Sequence, residues 1–307
     1  MNDVQARGGL PVWDLAKPSW ASIWHLDAYT STAIDGNGLR PAEVEALLDE
    51  GRAVGGRALQ DYLEVLDHAE AAAWVFGQAG VPGGIVTLDE VRELHRLATA
   101  RLWFTATPGQ ETPAGFRQRD VPPVPGVPSS PPFAAVPDMM EAWVSRVNQV
   151  GAYLGAVGHR WQGPRLVGAC HAAFERIHPF ADANGRTGRL VLNLIMVRLG
   201  WPPVVVTAHR RRYETALLRA DAGDVDPLAE MIAQAAITSV HVLFPDDAED
   251  TDLLPLSALA DETMSLPALR QAVTRRRLEA TLDRHGVWRT TRAAVDAYRD
   301  ARYQRAS

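Results

Sequence analysis

Apolar residues recur every three or four positions through most of the first 240 residues, the period of helices that bury one face. Val44, Leu47 and Leu48 share such a face behind Pro41, a residue suited to a first helical turn. Leu63, Leu66, Ala69, Ala73 and Phe76 keep the same register between Asp61 and Phe76. Thr87-Leu88-Asp89-Glu90 reads as a capping box, in which the hydroxyl accepts from a backbone N–H and the glutamate reaches back. Val91, Leu94, Ala98 and Leu102 then form one stripe, and Met140, Trp143, Val147 and Val150 form another. From Leu190 to Leu199 apolar side chains lie on nearly every side, broken by Asn193 and Arg198, which predicts a buried helix. The fold class expected from this pattern is mainly α.

Two stretches break the pattern. Seven of the 17 residues from 121 to 137 are proline, which excludes helix and favours a loop or an extended ligand for a partner. Phe244 to Asp252 holds five acids and a proline and reads as a linker. Beyond it, short helices are expected from Pro255 and from Ser265, and a third around Ala293 to Tyr298. The expected organisation is an N-terminal helical region over 1–86, a core over 87–244, a linker over 245–254 and a small unit over 255–307.

Composition narrows the chemistry. The 307 residues suggest about two domains at ~150 residues each, and 47% hydrophobic with 22% charged residues reads as a soluble globular protein. There is one lysine, Lys17, against 30 arginines, and no Gly-Lys pair, which excludes a P-loop nucleotide site. Lys17 precedes Pro18, a poor place for a kinase or Schiff-base lysine. The single Cys170 excludes an internal disulfide or a Cys-rich zinc site and is expected to be inert in an apolar helix. No signal core opens the chain and no apolar run is long enough to span a bilayer, so no membrane partner and a cytoplasmic location are expected. The net charge of −6 divides unevenly. Residues 1–252 carry 21 basic and 31 acidic side chains, whereas residues 253–307 carry 10 arginines and 6 acids. A basic module follows an acidic body.

The segment 171–199 carries candidate chemistry. Pro179 pushes His178 out of the helical region and ends the preceding helix; Asp182-Ala183-Asn184-Gly185 is turn chemistry; the buried helix follows. A loop at the N-terminus of such a helix offers unpaired N–H groups to an anion. Arg186 and Arg189 in the first turn oppose the helix dipole, and an anionic ligand would compensate them. Asp182 offers a hard oxygen for Mg²⁺, and His178 can serve as a general base near neutral pH. Together these describe phosphoryl or nucleotidyl transfer. His171, Glu175 and His178 at i, i+4 and i+7 suggest a shared metal, but Pro179 ends the helix and no fourth ligand is near. Arg210-Arg211-Arg212 reads as a solvated helix start, and His95 and His159 have no partner readable in the sequence.

His-Pro-Phe-Ala-Asp-Ala-Asn-Gly-Arg-Thr-Gly-Arg over 178–189 resembles the Fic motif, His-x-Phe-x-[Asp/Glu]-Gly-Asn-Gly-Arg-x-x-Arg, with Ala183 in place of the first glycine. The similarity runs from about Ser22 to Ser239 and implies a helical Fic core with a short flap hairpin. It implies transfer of AMP from ATP to a Ser, Thr or Tyr hydroxyl of a target protein. By that resemblance His178 is the catalytic base and Asp182 holds Mg²⁺. Ala183, Asn184, Gly185, Arg186 and Arg189 bind the nucleotide, with Arg189 on the γ-phosphate, and Phe180 anchors the loop. Gly185 stands where Doc-type kinases have lysine, which favours nucleotidyl transfer. Gly115-Phe-Arg-Gln-Arg119 and the residues to Pro132 occupy the place of a flap that pairs with an extended target segment. Ser31-Thr-Ala-Ile-Asp35-Gly36 resembles an N-terminal inhibitory motif whose acidic residue, here Asp35 rather than glutamate, pairs with Arg189. The rival activities are removal of AMP, transfer of another phosphate-linked group, or a DNA-binding regulator whose Fic body senses nucleotide.

The tail has a weaker resemblance over about 50 residues. Leu256-Ser-Ala-Leu-Ala, Leu269-Arg-Gln-Ala and Trp288-Arg-Thr-Thr-Arg look like an excisionase-type winged helix-turn-helix. It implies DNA as a partner of 255–307 through Arg270, Arg275, Arg276 and Arg277, against the alternative of a docking or homodimerisation module.

Overall fold

The computed structural model describes residues 4, 9–11, 17–79, 81, 83–105, 112–123, 128–156, 160–207, 210–244, 253–260, 264–275, 277–282 and 288–303. His159, Arg276 and most of the expected linker lie outside the described residues. The chain divides into two compact units, Met1–Leu243 and Phe244–Ser307.

The first unit is a layered helical body of α1 (Lys17–Ile34), α2 (Pro41–Glu50), α3 (Leu59–Phe76), α4 (Leu88–Leu97), α5 (Ala100–Thr105), α6 (Val136–Gly155), α7 (Gly163–Ile177), α8 (Asn184–Arg198), α9 (Arg210–Asp221) and α10 (Asp226–Leu243). Helix α8 runs through the centre, against α1, α3, α4 and α7. Leu190, Leu192, Leu194 and Ile195 are fully buried, as the all-round apolar pattern predicts. The capping box at the start of α4 forms. Thr87 Oγ accepts from the Glu90 N–H at 3.3 Å, and the Glu90 carboxylate accepts from the Thr87 N–H at 2.8 Å.

Residues 1–86 do not stand apart from the core. Trp20 of α1 is buried and stacks on Phe76 of α3 at 5.2 Å. Buried Asp27 meets His68 Nε2 at 3.0 Å and takes a bond from Asn193 of α8 at 3.4 Å. Asn193 in turn accepts from the Val204 N–H at 2.7 Å. These buried polar groups answer one another, which fixes α1 on the face of α3 and α8.

The flap departs from expectation. Among the described residues of 112–132 there is no strand, and the Arg117 N–H donates to Pro179 O at 2.9 Å. Pro122, Pro123, Pro128, Pro131 and Pro132 carry no N–H, so any ladder here must use the remaining donors.

The second unit builds a three-stranded antiparallel sheet in the order β1-β3-β2 from β1 (Leu254–Pro255), β2 (Thr281–Leu282) and β3 (Trp288–Thr290). Leu254, expected in the linker, pairs with Thr290. Helices α11 (Leu256–Leu259), α12 (Leu266–Thr274) and α13 (Arg292–Tyr303) complete it, around a core that includes Leu256, Leu259, Leu269, Val273 and Val295.

Candidate active site

Two residues in left-handed backbone bracket the loop between α7 and α8. His178 has φ 51° and ψ 62°, and Ala183 has φ 55° and ψ 22°. Neither is glycine, and both conformations are costly for an L-residue. Pro179 disfavours the right-handed helical region at His178 and so ends α7 there, but it would favour extended backbone, and the left-handed geometry is set by the cap itself. The His178 N–H still closes α7 on Phe174 O at 3.0 Å.

The loop is held from inside. Phe180 is fully buried, and Asn184 clasps it: the Asn184 amide accepts from Phe180 N–H and donates to Phe180 O, each at 2.8 Å. The Asn184 side chain, expected to meet phosphate, is instead turned inward and spent on the loop. Arg117, buried, donates from Nε to His178 O at 2.8 Å and from its terminal nitrogens to Arg119 O and Ile177 O. It thereby satisfies carbonyls that the end of α7 leaves open. His95 of α4 stacks on Phe180 with ring centroids 3.8 Å apart and planes 8° from parallel. Its Nε2 lies 3.3 Å from Asp182 O, and its Nδ1 accepts from the Ala114 N–H at 3.0 Å. Burial pulls the pKa of His95 down to about 4, so the ring is neutral. The sequence marks neither Arg117 nor His95 as a site residue, since their partners lie as far as 61 and 87 residues away.

The outer face of the loop carries reactive groups. His178 is half-buried; burial lowers its pKa, partly offset by a hydrogen bond to the Glu175 backbone. A neutral imidazole with one ring nitrogen so engaged keeps the other for a proton. Asp182 is exposed, and its Oδ1 accepts from the Ala183 N–H at 2.7 Å. No side chain caps α8, so the first N–H groups of that helix open toward the loop. An exposed carboxylate beside an uncapped helix N-terminus fits a magnesium–polyphosphate ligand in its donor set.

Arg186 and Arg189 are both buried and tied to other elements. Arg186 donates to Ala98 O at 3.2 Å, and its Nε lies 3.6 Å from Asp35. Arg189 donates from Nε to Ser31 Oγ at 2.7 Å, and from one terminal nitrogen to Ser31 O at 2.7 Å and Asp35 at 3.0 Å. Gly36, at φ 105°, turns the chain at the end of α1. Gly185 makes room for this clasp, because a Cβ there would stand 3.0 Å from the Arg189 guanidinium and 3.1 Å from Asp35. The Arg189 guanidinium also lies over the Tyr213 ring at 5.8 Å, and the Tyr213 hydroxyl lies 2.7 Å from His171 Nε2. His171 thus answers Tyr213, and burial pushes its pKa down to about 3. Glu175 lies beside this cluster with Oε1 unbonded, and burial pushes its pKa up to about 8. Gly188 permits that neighbour, since a Cβ there would meet Glu175 at 2.1 Å. Among the described residues no group of three metal-ligating side chains converges.

Residues 85–196 match the Fic/DOC family. Among curated proteins the chain is 29% identical over 245 residues to the protein adenylyltransferase Fic of Aedes aegypti, covering 80% of this chain and 46% of that one. It is 28% identical over 251 residues to that of Culex quinquefasciatus, covering 80% and 45%. The chain thus spans about half the length of these relatives. Among solved structures it is similar to Fic-1 from C. elegans, with a TM-score of 0.57 and 25% identity over 74% of this chain and 66% of that one. It is also similar to a Fic domain containing signaling protein from Bacteroides thetaiotaomicron, with a TM-score of 0.59 and 23% identity over 78% and 94%. The helical body has the Fic fold.

Proposed function

We propose that this protein transfers AMP from ATP to a Ser, Thr or Tyr hydroxyl of a target protein. The observation that carries the reading is that one short loop holds His178 and an exposed Asp182, near enough for the carboxylate to act on the imidazole, and leads straight into the uncapped start of α8. His178 takes the proton of the attacking hydroxyl. A new bond joins that oxygen to the α-phosphorus, the bond from the α-phosphorus to the bridging oxygen breaks, and pyrophosphate departs. Asp182 would hold Mg²⁺, which would neutralise phosphate charge when bound. The N–H groups at Gly185 and Arg186 face the phosphates, the Ala183 N–H being held by Asp182, and Arg189 takes the γ-phosphate. Asn184 contributes by keeping Phe180, and hence the loop, in place.

The same reading includes restraint by α1. The donors Arg189 would offer a γ-phosphate are engaged by Ser31 and Asp35, so ATP must compete with a buried, charge-assisted contact. Incubating the full chain with Mg²⁺ and α-³²P-ATP tests the reading. Label is expected to stay on protein, to increase in Asp35→Gly and to vanish in His178→Ala. Retention of γ-label instead would identify a kinase, and no retained label from either position would refute transfer.

A second reading concerns residues 255–307 alone. Arg270, Arg275 and Arg277 are exposed on and just after α12, and the segment is net basic. Their clustering favours contact with nucleic-acid phosphate. A salt-titrated shift of duplex DNA by the full chain separates this from a docking module.

A further inference from the structure

His95 lies far in sequence from the 178–189 segment yet touches it by two routes. Its ring covers Phe180, and its Nε2 faces the backbone carbonyl of Asp182. The opposite nitrogen receives the N–H of Ala114, a residue held at φ 68°. A donor role at Nε2 and an acceptor role at Nδ1 require one neutral tautomer. One turn earlier on α4, Arg92 lies over the Phe116 ring at 4.6 Å, and Phe116 packs on Phe180 at 5.8 Å. Helix α4 therefore presents one face to two segments at once: the loop that carries Asp182, and the stretch 114–117 that leads into the Pro-rich segment.

We propose that His95 is a positioning residue, whose imidazole sets the spacing between the Asp182 backbone and the 114–117 segment through its two opposed hydrogen bonds. The proposal rests on the reading in which Asp182 holds the metal and 115–119 register the target. His95 touches no reacting atom. It restricts where the carboxylate of Asp182 points, much as partners behind a metal ligand orient that ligand. Displacement of a positioned group by about 1 Å can cost on the order of 100-fold in rate.

Three substitutions separate the two bonds. His95→Asn places an acceptor near the Nδ1 position and keeps the Ala114 side. His95→Gln reaches the Nε2 position and keeps the Asp182 side. His95→Phe keeps the stack and loses both. Each is made in the full chain carrying Asp35→Gly. In the metal-free protein, hydrogen exchange of the peptide spanning 112–117 should quicken in Phe and Gln but stay slow in Asn. With Mg²⁺ and ATP, Phe and Asn should lower self-modification by roughly 10- to 100-fold, in line with losses behind metal ligands, and raise the Mg²⁺ needed for half-maximal rate several-fold. Gln should restore most of both. The proposal is overturned if Gln and Asn behave alike, or if every loss simply tracks the fall in Tm. Should Phe fail to fold, the contrast of Gln with Asn still decides the question. An inactive Asp35→Gly parent refutes the transfer reading instead, and the exchange pattern then decides the role of His95 separately.

Discussion

Ala183 holds a left-handed backbone at the start of α8, at φ 55°, where a glycine would adopt it without strain. The left-handed region costs an L-residue about 1–2 kcal/mol, and glycine loses about 0.4–1 kcal/mol through its freer unfolded chain. Ala183→Gly should therefore stabilise the protein by on the order of half to one kcal/mol, read from urea unfolding; a loss would mean that the buried methyl outweighs the strain. Glu175 gives a second test. Its carboxyl keeps a proton in the folded protein up to about pH 8, against 4.5 ordinarily, so the folded state binds more protons between those values and stability falls as pH rises through them. His171 and His95 act oppositely. Their pKa values of about 3 and about 4 lie below 6.5, so the unfolded state takes up protons first and stability falls as pH drops below 6.5. Glu175→Gln should melt higher than its parent by a margin that widens from pH 5 to pH 8; a constant margin would contradict the shift. At this scale the sequence is informative where a neighbour excludes a geometry, as Pro179 excludes the helical region at His178. It is silent on His95 and Arg117, because their partners come together only after α4, the 112–117 segment and the loop have packed.

At the scale of elements, the clasp between α1 and α8 is the informative contact. Arg189 keeps the Ser31 carbonyl and Asp35 when the Ser31 hydroxyl is removed, whereas loss of Asp35 leaves a buried guanidinium without its carboxylate. Ser31→Ala should cost about 1.5–3 kcal/mol, the range for a bond to a charged group. Its self-modification should rise less than that of Asp35→Gly. Equal activation by both would place the restraint in the hydroxyl instead. Hydrogen exchange within α1 should quicken in the same order. Helices with one clean apolar stripe or a capping box, such as α4 and α6, are legible in the sequence alone. Helix α1 is not legible from periodicity, because its inner face mixes Trp20, Ile23 and Ala28 with Asp27 and Ser31, which α3 and α8 answer, and Thr32, which bonds the Ala28 carbonyl of α1 itself. Residues 112–132 err the other way. Resemblance suggests a hairpin, and among the described residues, where prolines thin the donors, no strand forms.

For the whole molecule, the structural division near residue 244 precedes the charge division at 252, because the five acids of 244–252 go with the second unit and only the part beyond them is net basic. The sheet of the second unit is not readable from the pattern, since its strands are two or three residues long and too short to show alternation. The charge division nevertheless makes a quantitative prediction for the second reading. Four exposed arginines, Arg270, Arg275, Arg277 and Arg292, are available to phosphate. If all four displace counterions, the logarithm of the DNA association constant should fall with the logarithm of salt with a slope of about −3 to −4. Removing two of them, as in the Arg270→Ala/Arg275→Ala variant, should flatten that slope by about 2 and leave incorporation of label from α-³²P-ATP unchanged. The second half follows from placement: the residues proposed for transfer all lie within 1–243, and the two arginines lie in the other compact unit. A slope near zero in the unaltered chain would instead favour a docking module, in which the basic residues answer the acids of a protein partner.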